Sequence, residues 1–149
     1  MMALTAEQRE VIGCYLKELD ERLAPATERE VGASFTALLL AFPAQPLSEA
    51  AARIRAGAYF EALDGEPAWA IARAGSRWLR GEVEGNLAFA PSPPQLRRLV
   101  EAQTLPVRHQ AARLRRLLGA GVECVATIPE ERRAELAARF KALVRSLGA

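Results

Sequence analysis

The sequence is poor in the residues from which most catalytic and metal sites are built. His109 is its only histidine, and its two cysteines, Cys14 and Cys124, have no CxxC partner and no neighbouring histidine. Zinc ribbons need paired cysteines, and a catalytic triad needs a nucleophile close to a histidine, which the sequence does not place beside His109. The phosphate-binding patterns GxxxxGK[ST] and GxGxxG are also absent. The sequence therefore favours a non-enzymatic protein with no metal and no cofactor.

Long hydrophobic runs are lacking as well. The longest apolar segment, FTALLLAF at 35–42, is far shorter than the ~20 residues that cross a bilayer. The first ten residues, MMALTAEQRE, become polar at once and do not resemble a secretory signal. We therefore expect a soluble, cytoplasmic protein without membrane contact. Its cysteines are expected to be reduced thiols, and a single disulfide between Cys14 and Cys124 is the alternative.

Net charge is low, but charge is distributed unevenly along the chain. The formal net charge is +2, which is too small to indicate a nucleic-acid binder by itself. Residues 1–66 carry 6 Lys/Arg against 11 Asp/Glu, whereas residues 92–118 carry 6 Arg against one Glu. The basic segment is therefore the part of the chain whose charge needs an explanation.

Hydrophobic periodicity predicts helices throughout the chain. Apolar residues recur at the three- and four-residue spacing of one helix face, and no run alternates with period two for long enough to form a sheet. Half of the 149 residues are hydrophobic, which suits one domain with its own core. The prediction is an all-α fold, a single helical domain over 1–149 with about six helices at 5–23, 27–42, 48–63, 67–80, 93–118 and 129–147.

The predicted helix starts carry recognisable capping patterns. TERE at 27–30 has the spacing of a capping box, and Ser48 can cap the third helix. DGEP at 64–67 is a turn that places Pro67 at the first helical position, and SPPQ at 92–95 combines a cap serine, a proline and a glutamine. At Pro106 two alternatives stay open, a helix bent by the proline or one that continues through it.

Each predicted helix has an apolar stripe that we expect to be buried. From the first helix to the last, the stripes are Val11, Ile12, Tyr15, Leu16, Leu19 and Leu23; Val31, Phe35, Leu38, Leu39 and Phe42; Ile54, Ala58 and Leu63; Ile71, Ala74 and Trp78; Leu96, Leu99, Val100, Val107, Leu114, Leu117 and Leu118; and Leu136, Phe140, Leu143, Val144 and Leu147.

The helix predicted at 93–118 carries its arginines on the side opposite its leucines. Three of them, Arg97, Arg108 and Arg115, lie within about 20° of one another on a straight helix and mark a ridge about 27 Å long. If the guanidinium groups project outward without partners, this ridge can meet a protein partner or DNA phosphates. The alternative is pairing with the acidic residues of the first helices. The full basic face consists of Arg97, Arg98, Arg108, Arg113, Arg115 and Arg116.

A second candidate surface lies on the helix predicted at 67–80. Trp69 points away from the stripe formed by the other tryptophan and shares its face with Arg73, Arg77 and Arg80. Tryptophan and arginine are the residues most enriched where binding energy concentrates in interfaces. The alternative is that Trp69 packs on the preceding helix while Arg73, four residues further on, stacks on its ring.

Residues 58–100, AYFEALDGEPAWAIARAGSRWLRGEVEGNLAFAPSPPQLRRLV, combine a tyrosine-bearing helix, a proline-initiated helix with a tryptophan, and a Phe-x-Pro-[ST]-Pro-x-x-Leu entry to a further helix. This stretch resembles phage and prophage replication proteins similar to the helicase loader/inhibitor family. The matching positions, which the resemblance implies are mainly fold-determining, are Tyr59, Leu63, Pro67, Trp78, Phe89, Pro91, Pro93 and Leu96. Phe89 is expected to staple the connection to the core.

The resemblance implies a compact helical domain that engages the host's replicative helicase. Members of that family tend to end in a flexible helicase-binding tail, whereas residues 128–149 here have the pattern of an amphipathic helix. The leading hypothesis is a helical adaptor of a phage-type DNA replication module that binds a protein partner. Direct DNA binding by the basic face is the second hypothesis, and a homo-oligomer joined through the terminal helix is the third.

Overall fold

The computed structural model describes residues 4–123 together with 132, 134, 135 and 138. Residues 4–123 contain five α-helices and no strand, which confirms the all-α prediction. Five helices are fewer than the six or so predicted: residues 132, 134, 135 and 138 are helical and exposed, and the rest of the expected 129–147 helix lies outside the described residues. The helices are α1 (Ala6–Arg22), α2 (Glu28–Leu40), α3 (Glu49–Leu63), α4 (Ala68–Leu79) and α5 (Pro93–Glu123).

The first three helices begin at hydroxyl residues that cap them. Thr27 and Glu30 form the expected capping box, in which the Thr27 amide donates to Glu30 Oε2 at 2.8 Å and the Glu30 amide donates to Thr27 Oγ1 at 3.3 Å. Thr5 and Gln8 form a second capping box at α1. Ser48 accepts a hydrogen bond from the backbone of α3. Local side chains thus satisfy amides that have no partner within the helix.

Prolines mark the starts of the last two helices in different ways. Pro67 was expected at the first helical position but lies one residue before it, with an extended ψ of 144°, so that α4 begins at Ala68. The start of α5 agrees with the prediction, because the Ser92 amide donates to Gln95 Oε1 at 2.9 Å. α5 continues through Pro106 as one helix. Ala102 and Pro106 are both exposed, so water can satisfy the carbonyl that the proline leaves without a donor.

The main core lies between α2, α3, α4 and the first half of α5. Tyr59 of α3 stacks on Phe35 of α2 with ring centroids 5.2 Å apart, and its hydroxyl donates to the Pro91 carbonyl at 2.6 Å. Trp78 of α4 donates through Nε1 to the Phe89 carbonyl at 3.0 Å. These two bonds fix the connection between α4 and α5 against the core. The cluster comprises Val31, Phe35, Leu38, Tyr59, Leu63, Ala70, Ile71, Ala74, Trp78, Leu96 and Val100.

A second, smaller cluster joins α1 to the later part of α5. Leu19 packs on Val107 and Ala111, and Leu16 and Leu23 add partly buried contacts. Of the six residues in the predicted α1 stripe only Leu19 is buried, and Val11 and Tyr15 are exposed. The physical reason is that α1 contacts mainly one helix, so its buried face is narrower than its apolar stripe. Leu117, on the predicted stripe of α5, is exposed as well.

The predicted buried face of α3 was wrong for two of its three residues. Ile54 is 75% exposed and Ala58 is also exposed, whereas Tyr59 and Leu63 are buried and Ala56 and Phe60 pack at the edge of the core. α3 contains six alanines and one glycine among its 15 residues, which leaves little periodic signal in the sequence. The two large aromatic side chains decide its orientation because they bury more apolar surface than Ile54 does.

Candidate interaction surface

The arginine ridge of α5 is paired within the molecule. Glu66, in the turn between α3 and α4, is only 1% exposed and lies between two ridge arginines. Arg108 Nη2 donates to Glu66 Oε2 at 3.0 Å, and Arg97 Nη2 lies 3.3 Å from Glu66 Oε1. The condition for partner binding by the ridge, guanidinium groups that project outward without partners, is therefore not met at Arg97 and Arg108. A buried carboxylate needs such cations because its water has been removed.

Arg97 is held by several acceptors. Its Nε donates to Glu101 Oε1 at 2.7 Å, and its Nη1 donates to the carbonyls of Ala62 and Asp64 at 2.9 and 3.2 Å. The hydrogen bond to Glu101 is the largest cause of the raised pKa of Arg97, and Glu66 adds to the effect while partial burial opposes it. This arginine therefore joins the end of α3 to α5.

Arg115, the third ridge residue, pairs with Asp20 of α1. The acidic first helix thus does neutralise part of the basic segment, which was the structural alternative for this face. Ion pairs with Glu66, Glu101 and Asp20 now account for the whole ridge. Arg97, Arg108 and Arg115 are constituents of the fold, so they are poor choices for a surface that must remain open to a partner.

Glu66 is the residue that the sequence did not single out. Its carbonyl accepts the Ala26 amide at 2.9 Å, and Gly65 before it has a φ of 75°, a left-handed conformation that glycine adopts without strain. The backbone of the turn is thereby held while its carboxylate enters the interface with α5. Asp64 and Glu66 both lie in the turn sequence DGEP. Nothing in that sequence distinguishes an acidic residue of an exposed turn from a buried carboxylate.

The other three arginines of α5 remain exposed. Among the side chains that the structure describes, Arg98, Arg113 and Arg116 have no carboxylate within 4.0 Å. On a regular helix Arg98 and Arg116, 18 residues apart, lie on the same face about 27 Å apart. The free positive charge of α5 is therefore sparse and lies beside the predicted ridge.

Trp69 joins two helices instead of projecting freely. Its Nε1 donates to the Arg22 carbonyl at 2.7 Å, and the Arg22 guanidinium carbon lies 4.6 Å from the ring centroid. Trp69 is partly buried and contacts both hydrophobic clusters. The alternative placed Trp69 on the preceding helix with Arg73 stacked on its ring, whereas both its hydrogen bond and its stacked cation come from Arg22 of α1.

Arg73 and Arg77 of α4, together with Arg80 directly after it, line an open basic cleft against α5. The cleft has a volume of about 470 Å³, and its lining includes Arg73, Arg77, Arg80, Glu82 and Gln103. The carboxylate of Glu82 lies 3.7 Å from both Arg77 Nε and Arg80 Nη1. Arg73 has no carboxylate within 4.0 Å in the part of the chain that the structure describes. Three guanidinium groups and one carboxylate give this cleft a net positive charge.

An apolar groove between α2 and α4 adjoins the basic cleft. It has a volume of about 240 Å³, with buried Phe35, Leu38, Ile71 and Leu96 at its base and exposed Leu79 at its rim. Small residues line its mouth, namely Ser34, Ala37, Ala72, Gly75 and Ser76. Ala72 and Ser76 line both the groove and the basic cleft, so the two depressions are neighbours along α4.

Other reactive side chains are dispersed. Within the described residues no group of three His, Cys, Asp or Glu side chains could hold a metal ion. His109 and Cys14 are exposed, and Cys124, the other half of the possible disulfide, lies outside the described part. None of the described helices is long and apolar enough to cross a membrane.

No protein-family model, no curated protein and no solved structure matches the chain. The resemblance of residues 58–100 to helicase loader/inhibitor proteins therefore stays a prediction. Six of its eight framework positions are buried: Tyr59, Leu63, Pro67, Trp78, Pro91 and Leu96. The expected staple is wrong, because Phe89 is 62% exposed; its carbonyl accepts the hydrogen bond from Trp78 Nε1.

Proposed function

We propose that the chain is a non-enzymatic helical adaptor that binds a protein partner through α4. The observation that carries this proposal is the basic cleft of Arg73, Arg77 and Arg80, which opens beside an apolar groove on the same helix. The resemblance of residues 58–100 suggests a phage-type DNA replication module and a replicative helicase as the partner. The proposal assigns partner binding to α4, whereas the sequence-based hypothesis assigned it to both α4 and the ridge of α5.

The experiment is a pull-down of the host's replicative helicase by the full chain. We expect retention by the wild type and loss with Arg73→Glu, because reversing an exposed, unpaired charge should repel an acidic partner while leaving the core intact. Arg55→Glu is the matched control, since Arg55 is an exposed arginine on α3 outside the cleft. No retention of helicase by the wild type would contradict the assignment of this partner.

Alanine substitutions in the ridge are unsuitable for this test. Arg108→Ala would leave the buried Glu66 with one cation fewer and lower stability, so a loss of binding could follow from unfolding. Arg73→Glu avoids that difficulty because Arg73 makes no ion pair with any side chain that the structure describes. Thermal unfolding of each variant verifies that the fold is retained.

DNA binding by α5 is the second candidate, and the exposed Arg98, Arg113 and Arg116 favour it. Phosphate contacts release counterions, so the affinity of such binding falls steeply as salt increases. Fluorescence anisotropy with a labelled DNA duplex at ~50 mM and ~200 mM salt tests this candidate. Binding that is absent at the lower concentration, or unchanged between the two, would exclude it.

A further inference from the structure

The two neighbouring depressions along α4 offer two recognition chemistries. On the α2 side the lining is apolar and contains buried Phe35, Ile71 and Leu96. On the α5 side the lining carries Arg73 and Arg77. A ligand that occupies both parts must therefore present an apolar face and a negative face side by side.

The groove has room for a large apolar side chain. Its 240 Å³ exceeds the ~150 Å³ of a cavity that binds benzene in a protein core. The stretch of α4 from Ile71 to Leu79 extends over about 12 Å, which corresponds to two turns of a helix. Anchors at positions i, i+3 or i+4 and i+7 of a partner helix cover that distance.

Small residues at the mouth allow the backbone of a partner to come close. Gly75 has no side chain, and a Cβ added there would meet only Leu38, at 3.9 Å. Ala37 and Ala72 are exposed on either side of the groove. A helix lying against this mouth could reach the buried base with leucine or phenylalanine side chains.

The charge of the cleft selects an acidic partner. Arg77 and Arg80 lie 3.7 Å from the Glu82 carboxylate, and Arg77 Nη2 also donates to the Glu82 carbonyl at 3.3 Å. Arg73 has no carboxylate within 4.0 Å among the described side chains. Carboxylates of a partner can therefore bind Arg73 directly and compete with Glu82 for Arg77 and Arg80. Single-stranded nucleic acid would use aromatic stacking platforms, whereas the lining of this cleft contains no aromatic side chain.

We propose that the surface formed by the α2–α4 groove and the α4–α5 cleft binds an acidic amphipathic helix of a protein partner. Apolar residues of that helix enter the groove, and Asp or Glu residues on its flank pair with Arg73, Arg77 and Arg80. This inference rests on the proposed adaptor function and specifies the chemistry of the partner at that surface.

The test is an unbiased selection of displayed 16-residue peptides against the full chain, followed by affinity measurements on synthetic copies. We expect selected peptides with a net negative charge and an i, i+3 or i+4, i+7 apolar pattern. Their affinity should fall at least tenfold with Arg73→Glu and with Ala37→Trp, which fills the groove. Arg55→Glu and Ala52→Trp, at exposed positions of α3, are the matched controls and should change affinity less than twofold.

Three results would overturn the proposal: no enriched peptide, selected peptides that lack acidic residues or the apolar pattern, or affinities that Arg73→Glu and Ala37→Trp leave unchanged. Displacement of the peptide by a 20-nucleotide single strand, with the same dependence on Arg73, would replace the helix with nucleic acid as the ligand. Helicase retention that survives both substitutions would refute this surface and the binding role of α4 but keep an adaptor that binds helicase elsewhere. Peptide binding that depends on both, with no helicase retained, would keep the surface and refute the helicase.

Discussion

The pairing of Glu66 with Arg108 makes a quantitative prediction about the stability of this fold. Glu66 is 1% exposed, and its Oε2 accepts from Arg108 Nη2 at 3.0 Å. A hydrogen bond to a charged group contributes about 1.5–3 kcal/mol. Because the Arg108 side chain is 44% exposed, solvent screening reduces this value, and we expect a coupling free energy of about 1–2 kcal/mol.

A double-mutant cycle isolates that coupling. The variants are Glu66→Gln, Arg108→Gln and the double substitution, which retain the side-chain stems and change the charges. Urea unfolding followed by far-UV circular dichroism gives the free energy of unfolding of each variant, provided that the denaturant slope is unchanged. We expect each single variant to be destabilised and the double variant to lose less than the sum of the two.

The exposed pair Glu49–Arg53 of α3 is the matched control. Its side chains are 81% and 78% exposed, and such i,i+4 pairs contribute about 0.3–0.5 kcal/mol. The same cycle at these positions should therefore give a smaller coupling, which added salt weakens further. Equal couplings for the two pairs, or a Glu66–Arg108 coupling near zero, would refute the reasoning that burial of Glu66 requires the ridge arginines.

Two further predictions concern the core and a helix start. Tyr59→Phe retains the ring but leaves the buried Pro91 carbonyl without the hydroxyl that donates to it at 2.6 Å. The free energy of unfolding measured in urea should fall by about 1–3 kcal/mol. An unchanged urea midpoint would contradict the role of this hydrogen bond. Thr27 lowers the pKa of Glu30 mainly through its backbone amide. The folded state therefore favours the charged form of Glu30, and the stabilisation that this charge contributes is lost as the pH falls through the lowered pKa. The difference in unfolding free energy between wild type and Glu30→Gln should shrink at acid pH. A difference that does not change with pH would contradict this role of the Glu30 charge.

Local sequence accounts for most of the helix boundaries. Thr27 with Glu30, and Ser92 with Gln95, fix the starts of α2 and α5 through contacts only three residues apart. Such contacts depend on neighbours in the chain, so the sequence alone could predict them. The buried stripe of α4 was predictable for the same reason, because Ile71 and Trp78 follow one clear helical period.

The candidate site was predictable only in part. Arg73, Arg77 and Arg80 could be assigned to one face of a helix from their spacing, and the structure brings them together in a cleft. The apolar groove beside them was missed. It is formed by small residues of α4 and by α2, and no periodic pattern within one helix indicates how closely a second helix approaches.

The sequence by itself determined that the described part of this protein is helical, where most of its helices begin and end, and that one face of α5 is basic. Only the tertiary structure determined which arginines of that face are ion-paired. Arg97 pairs with a glutamate 31 positions earlier and Arg115 with an aspartate 95 positions earlier. The physical reason is that helical periodicity acts over a few residues, whereas burial of Glu66 depends on how separate helices pack. Tertiary packing therefore paired the arginines of the candidate ridge with carboxylates of the same chain and left α4 as the open surface.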